Sequence, residues 1–193
     1  LVLEVSLDFW NMSPSPLLLA LQKSVRLDDR FDDKELRIYT HNKGKKMPLT
    51  SLSALKYVDE GYTIGIGHKN KGDLYVRTYH KVKDQGQDLP PNQHRTRIEI
   101  NVRGELLANM GNDADNLKYL TNESFKLLRF TRLRDDATIK QKLAYRKLMG
   151  LFGKQVSIIS KSRNRRDLPD YIETHTQLNT LVAKATSNFV RHL

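Results

Sequence analysis

No cysteine occurs among the 193 residues, which excludes disulfides, thiolate zinc sites and cysteine nucleophiles together. Long apolar runs are missing too: none approaches the roughly 18 residues that a membrane helix needs, and no charged start leads into an apolar segment of signal-peptide type. A soluble, cytoplasmic chain with no membrane partner is expected. The opening at Leu1 rather than Met, in a strand-like run, suggests residues upstream of it. Acids are scarce in one long stretch: between 118 and 166 Lys and Arg recur, and the acids are Glu123, Asp135 and Asp136 alone.

What is present suffices for one core. With 38% hydrophobic and 28% charged residues, a chain of this length buries a single sizeable core, with room for a small appendage. The expected division is a main α+β domain over 1–153, which carries the function, and a helical C-terminal extension over 154–193. The net charge of +11 attracts phosphate polymers by counterion release and steers their encounter. An anionic lipid surface, or a merely solvated basic face, would call for the same sign.

Periodicity gives the layout. Positions 1–9 alternate, with Leu1, Leu3, Val5, Leu7 and Phe9 on one side and Val2, Glu4, Ser6 and Asp8 on the other, as a half-buried strand does. After a turn-rich break at 10–16, Ser15-Pro16 supplies an N-cap and first-turn proline for a helix to about 27, packed by Leu17, Leu18, Leu21 and Val25. A short strand ELRIYT and a helix from about Thr50, with Leu52, Leu55 and Val58 on one side, follow. GYTIGIG, DLYVRTYHKV and HRTRIEINV then read as three strands with short links, DQGQDLPPNQ being a loop, which favours an antiparallel meander. Past Gly104 the period turns helical in ELLANM, NLKYLTNESFKLLRF and ATIKQKLAYRKLMGLF, the last ending at Gly153 as C′ residue. Leu168-Pro169 breaks the chain before a final helix with Leu178, Leu181, Val182, Ala185 and Phe189 spaced for packing. The fold class is α+β: an antiparallel sheet of four or five strands, helices on one face, and a helical C-terminal third.

That leaves the second face of the sheet. Alternation puts Asp73, Tyr75, Arg77, Tyr79 and Lys81 on it from one strand, and Arg95, Arg97, Glu99, Asn101 and Arg103 from the next. Thr63, Gly65, Gly67, Glu4 and Asp8 complete a polar, cation-rich floor. Antiparallel sheets commonly show water one polar face whose charges simply pair. Here the cations are mixed with tyrosines and glycines, which lets a sugar-phosphate backbone come close and offers rings for stacking. Glu99, between Arg97 and Asn101, is favoured in its ionised form and available to a divalent cation.

The strand pair resembles the central region of rolling-circle replication initiators of small plasmids and phages, and of the related relaxases of integrative elements. In that family a Gly-rich strand and turn precede a strand of the form S-D-x-x-x-R-x-Y-x-K, and a later strand R-x-E-x-x-x-R supplies an active-site carboxylate. The counterparts are G-D-L-Y-V-R-T-Y-H-K at 72–81 and R-I-E-I-N-V-R at 97–103. KLLRFTRLRDD looks like the family's L-R-F segment, and the resemblance covers about 61–153. It implies a nickase for replication initiation, in which a tyrosine attacks single-stranded DNA or an extruded hairpin origin, forming a 5′-phosphotyrosyl link, while Mg²⁺ or Mn²⁺ polarises the phosphate. It further implies Glu99 and Asp73 as metal ligands, with Asp8 as an alternative second ligand. Arg77, Tyr79, Lys81, Arg95, Arg97, Lys69 and Lys71 become the DNA-binding set, and a replication helicase a further partner.

The chain departs from the family pattern twice. Beside Arg129 and Phe130, where a tyrosine is expected, stand Leu127 and Leu128. The candidate nucleophiles are Tyr145, where Arg146 and Lys147 could depress the phenol's pKa, and Tyr119, with Tyr171 third. No His-x-His pair exists either: His41, His68, His80, His94, His175 and His192 are scattered, which fits the branch that relies on carboxylates, and His68 and His80 read as loop or strand-edge residues. Two non-catalytic readings stand beside the nickase. One is a single-stranded nucleic-acid-binding module built on the sheet face; the other is a partner-binding protein in which SKSRNRR is a solvated linker.

Overall fold

The alternation of the first residues becomes an edge strand, β1 (Val2–Trp10), which turns Val5, Leu7 and Phe9 into the core and leaves Val2, Glu4 and Ser6 outside. Its partner is β8 (Arg95–Arg103), paired antiparallel from Val2 against Arg103 to Trp10 against Arg95. On the other side of β8 lies β5 (Lys71–Lys81), also antiparallel, in register from Leu74 against Val102 to Lys81 against Arg95. The sheet continues through β4 (Thr63–His68) to two short strands, β2 (Leu36–Tyr39) and β3 (Met47–Pro48), in the order β1-β8-β5-β4-β2-β3. The expected meander is therefore present as β4, β5 and β8. Four strands of six residues or more form its body. These features belong to a computed structural model that describes residues 1–26, 36–39, 47–48, 51–111, 116–150 and 170–192.

One face of this sheet is the core. Thr96, Ile98, Ile100 and Val102 of β8, Leu74, Val76 and Thr78 of β5, and Ile64 and Ile66 of β4 are all buried. Each aliphatic side chain so removed from water contributes about 1.5–3 kcal/mol. They pack under α1 (Pro14–Arg26) and α2 (Ser51–Asp59). Leu17, Leu18 and Leu21 form the buried stripe of α1, and Ala54 and Val58, one turn apart, that of α2. The helix α1 opens at Pro14, two residues before the expected Pro16; both prolines tolerate the first turn because its N–H groups have no helical partner. Val25 and Leu52 lie outside the residues whose side chains are described.

Downstream of the sheet, α3 (Gly104–Asn109) follows β8 directly, and α4 (Leu117–Phe125) leads into β9 (Thr131–Leu133). The L-R-F segment lies outside any helix, and it is structural: Leu128 and Phe130 are buried, and the Phe130 ring meets Phe9 edge to face at 5.8 Å. After α5 (Ile139–Gly150) the described chain resumes with β10 (Ile172–Thr174), antiparallel to β9, and α6 (Thr176–Arg191). Asn179 holds this end in place, accepting from Phe130 N at 2.9 Å and donating back to Phe130 O at 2.8 Å. Leu178 and Val182 join the same apolar cluster as Leu128 and Phe130, so the segment expected as an extension shares the main core. Leu181 and Phe189, by contrast, are largely exposed. Gly153 lies outside the described residues. At the start of the expected loop 84–93, β6 (Lys83–Asp84) and β7 (Gln87–Asp88) form a tight hairpin turned by Gln85 and Gly86, both at positive φ.

Gly104 joins β8 to α3 at φ +56, and a Cβ there would fall on Asp73 Oδ1. Asp73 cannot yield freely, because its other oxygen accepts the Leu106 N–H at 3.0 Å and satisfies an open helix donor. Gly104→Ala is expected to lower the unfolding free energy in urea by about 2–3 kcal/mol. Gly61→Ala, at φ +90 but with open space around the added methyl, should cost only about 1 kcal/mol.

Candidate nucleic-acid interface

The second face of the sheet holds the charges that alternation places there, and the register decides which of them meet. Asp8 stands opposite Arg97, Arg97 opposite Tyr79, and Arg77 opposite Glu99. Glu99 is 3% exposed. One of its oxygens takes the Arg77 guanidinium through Nε and a terminal nitrogen, and the other accepts the Tyr79 hydroxyl at 2.6 Å. A carboxylate this deep needs such compensation, because stripping its water costs several kcal/mol. Exposed Glu4 lies 3.8 Å from the same guanidinium.

A second cluster adjoins the first. Arg97 grips Asp8 with two prongs, at 2.6 and 2.7 Å, while Arg95 Nε reaches the same carboxylate at 2.9 Å. Arg95 is further pinned by donating to Gln93 O at 2.8 Å, and its guanidinium lies 5.1 Å from the centroid of the Trp10 ring. Burial pulls the Asp8 pKa up, but the Arg97 and Arg95 contacts outweigh it and hold the carboxyl below its ordinary value. Hydrogen bonding to Asp8 raises Arg97 in turn, against the opposing effect of burial. Burial first, then the Glu99 carboxylate, push the Tyr79 phenol well above its usual range, so it carries its proton at neutral pH. Each arginine has five N–H donors in a rigid fork. The carboxylates occupy two of those on Arg77 and on Arg97, Tyr79 takes a further contact from Arg97, and the forks are thereby held in a fixed orientation.

The expected site residues divide accordingly. Arg77, Tyr79, Lys81, Arg95, Arg97 and Glu99 do share one face, with Lys81 bound to Asp84 at 3.0 Å. Lys69 is exposed in the turn between β4 and β5; the side chain of Lys71 lies outside those described. Asp73 does not join Glu99: it caps α3, and it sits four residues along β5 from Arg77, about 13 Å away. Both Glu99 oxygens are engaged, Asp8 is taken by two arginines, and among the described residues no three His, Cys, Asp or Glu side chains converge as a metal would require. As placed, Glu99, Asp73 and Asp8 do not fit a divalent-metal ligand set.

The proposed tyrosines lie elsewhere. Tyr145 is buried on α5, which packs on α1 and α2 on the helical side of the sheet. Its phenol is not depressed as the neighbouring Arg146 and Lys147 suggested; burial pushes it up to about 12. Tyr119 is exposed on α4, whose Leu120 and Phe125 enter the core. Burial first, then Asp170, raise Tyr171. The phenol that meets Glu99 is Tyr79, from the adjacent strand. His80 projects to the core side of β5, where its ring meets His94 edge to face at 5.8 Å in a cleft with Asp59 and the start of α1. Trp10 and the Asp8 clamp were not singled out by sequence reading. Alternation already assigned Asp8 to this face, but its partners depend on β1 lying beside β8, which no local pattern announces.

No protein-family model matches the chain, and no curated protein sequence matches it. The site therefore has to be read from its own chemistry.

Replacing Glu99 with Gln keeps the shape but leaves the Arg77 guanidinium without its counter-ion, and should cost about 1–3 kcal/mol in urea unfolding. Glu4→Gln should cost less than about 0.5 kcal/mol, since Glu4 is exposed and reaches Arg77 only at the long ion-pair distance of 3.8 Å. Asp8 has a folded pKa below its unfolded one, so its contribution is complete above the unfolded value and vanishes as pH falls through the folded value. Asp8→Asn should accordingly show a weaker loss of stability between about pH 5 and pH 2 than the native chain, as read by urea midpoints across that range.

Proposed function

We propose that the protein binds nucleic acid along the charged face of its sheet. The observation that carries this reading is the row Lys81, Arg95, Arg97 and Arg77 on adjacent positions of β5 and β8, with three guanidinium forks set in place by Asp8 and Glu99. Phosphate oxygens match the geometry of the free fork donors, and no base identity is needed for such contacts. The net charge of +11 supports the encounter over a longer range.

Binding should show as a rise in fluorescence anisotropy of a labelled oligonucleotide, with affinity falling as salt rises, at a log–log slope of roughly −0.7 per neutralised phosphate on a single strand. Arg97→Ala and Arg77→Ala are each expected to weaken binding by about tenfold and to reduce the slope by about 0.7. Unchanged affinity in both variants would remove the sheet face from the interaction.

One contact favours a second reading, replication initiation by DNA nicking: the Tyr79 hydroxyl lies 2.6 Å from a Glu99 oxygen, with Arg77 and Arg97 beside it. In this chemistry Tyr79 Oη attacks a phosphodiester phosphorus while its proton passes to Glu99. The 3′-oxygen leaves and takes up a proton, and a 5′-phosphotyrosyl ester remains. The two guanidinium groups would stabilise the charge growing on the equatorial oxygens. Incubation with single-stranded and hairpin DNA, with and without Mg²⁺ or Mn²⁺, should then yield a covalent adduct that Tyr79→Phe abolishes and that Tyr119→Phe and Tyr145→Phe leave intact. Binding without any adduct leaves the first reading alone.

A further inference from the structure

We propose that Trp10 is a stacking platform for an unpaired nucleobase, which makes the interface selective for single strands over duplex; this rests on the nucleic-acid reading above. Trp10 is the only tryptophan in the chain and is 51% exposed at the end of an edge strand. An isolated tryptophan this exposed loses favourable burial without an evident structural return. Its orientation is nonetheless controlled. The Arg95 guanidinium lies over the ring at 5.1 Å, and Arg95 is itself fixed by Asp8 at 2.9 Å and Gln93 O at 2.8 Å, with only 11% of its side chain exposed. Directly after Trp10 the chain turns away, with Asn11 at φ 56.

These facts together describe a ring held from behind by a desolvated cation, with its other face toward solvent. A base can stack on that face, and the guanidinium beneath strengthens the ring's hold on it. The neighbouring positions on the same face, Arg97 two residues along β8 from Arg95 and Lys81 opposite Arg95 on β5, offer cations to the phosphates of a strand whose base stacks on Trp10. A duplex keeps its bases paired and stacked internally, and offers no free ring face. The consequence is a preference set by strandedness and largely independent of sequence, because every base has a π-face.

The single tryptophan is its own reporter. Adding a 12-nucleotide oligothymidylate should quench the native indole emission, while a hairpin duplex of matching length should quench it weakly. Anisotropy with labelled versions of both probes should show single-strand affinity falling about 5- to 100-fold in Trp10→Ala and much less in Trp10→Phe, with duplex affinity little changed. Because Trp10 lies at the surface, both variants should fold, which circular dichroism will verify; native quenching tests the idea even if they do not. Binding of the single strand without quenching and with unchanged affinity in Trp10→Ala overturns the inference and leaves the sheet-face reading standing. Equal quenching by duplex also overturns it. Absence of binding to either probe overturns both.

Discussion

Glu99 is the group on which the arrangement of this protein turns. A carboxylate 3% exposed in the centre of a sheet face is tolerable only if its charge is answered nearby, and two side chains of the neighbouring strand answer it. That answer fixes register as well as charge. If β5 slipped by one residue against β8, Arg77 and Tyr79 would turn to the opposite face, and the apolar row through Leu74, Val76 and Thr78 would turn out of the core with them. The ionic pair and the hydrophobic layer thus select the same alignment from opposite sides of one sheet. The clamp of Arg95 and Arg97 on Asp8 repeats the logic at the next interface, between β8 and β1.

The same pairing shapes what the face can do. Carboxylates that hold guanidinium forks are poor ligands for a cation, since a metal would have to displace the arginines to reach them. They are good orienting groups for an anion-binding surface, because they spend some donors of each fork to aim the rest. On the proposed reading, the floor holds phosphates through oriented donors rather than activating them through a metal. The Tyr79 phenol on this face is engaged with the buried Glu99 carboxylate.

Much of this was legible along the chain. The period-two patterns of 72–81 and 95–103 predicted both strands and both of their faces, and the helical periods located α1, α2, α5 and α6 to within a few residues. Local patterns were less informative where two roles share one signal. The run through Leu127, Leu128 and Phe130 was read as helix continuing from α4, yet it unwinds into β9 because its side chains fill the core beside Phe9. Asp73 and Glu99 looked alike as acids on one face. Only the path of α3 over the end of β5 shows that Asp73 is a helix cap. Trp10 was read as the start of a turn, and it is also the exposed end of the floor.

The sequence by itself determined which residues face water together within each strand, since side-chain alternation is a property of the local backbone. Short links also announced the β4-β5-β8 meander, but nothing local announced that β1 lies beside β8. The chain order runs from β1 to β2, whereas the sheet places β8 next to β1, a pairing that joins residues about ninety positions apart. It is chosen by burial of the whole apolar face at once. Only that tertiary choice brought Asp8 to Arg97 and Trp10 to Arg95, and moved Tyr145 to the far side of the sheet.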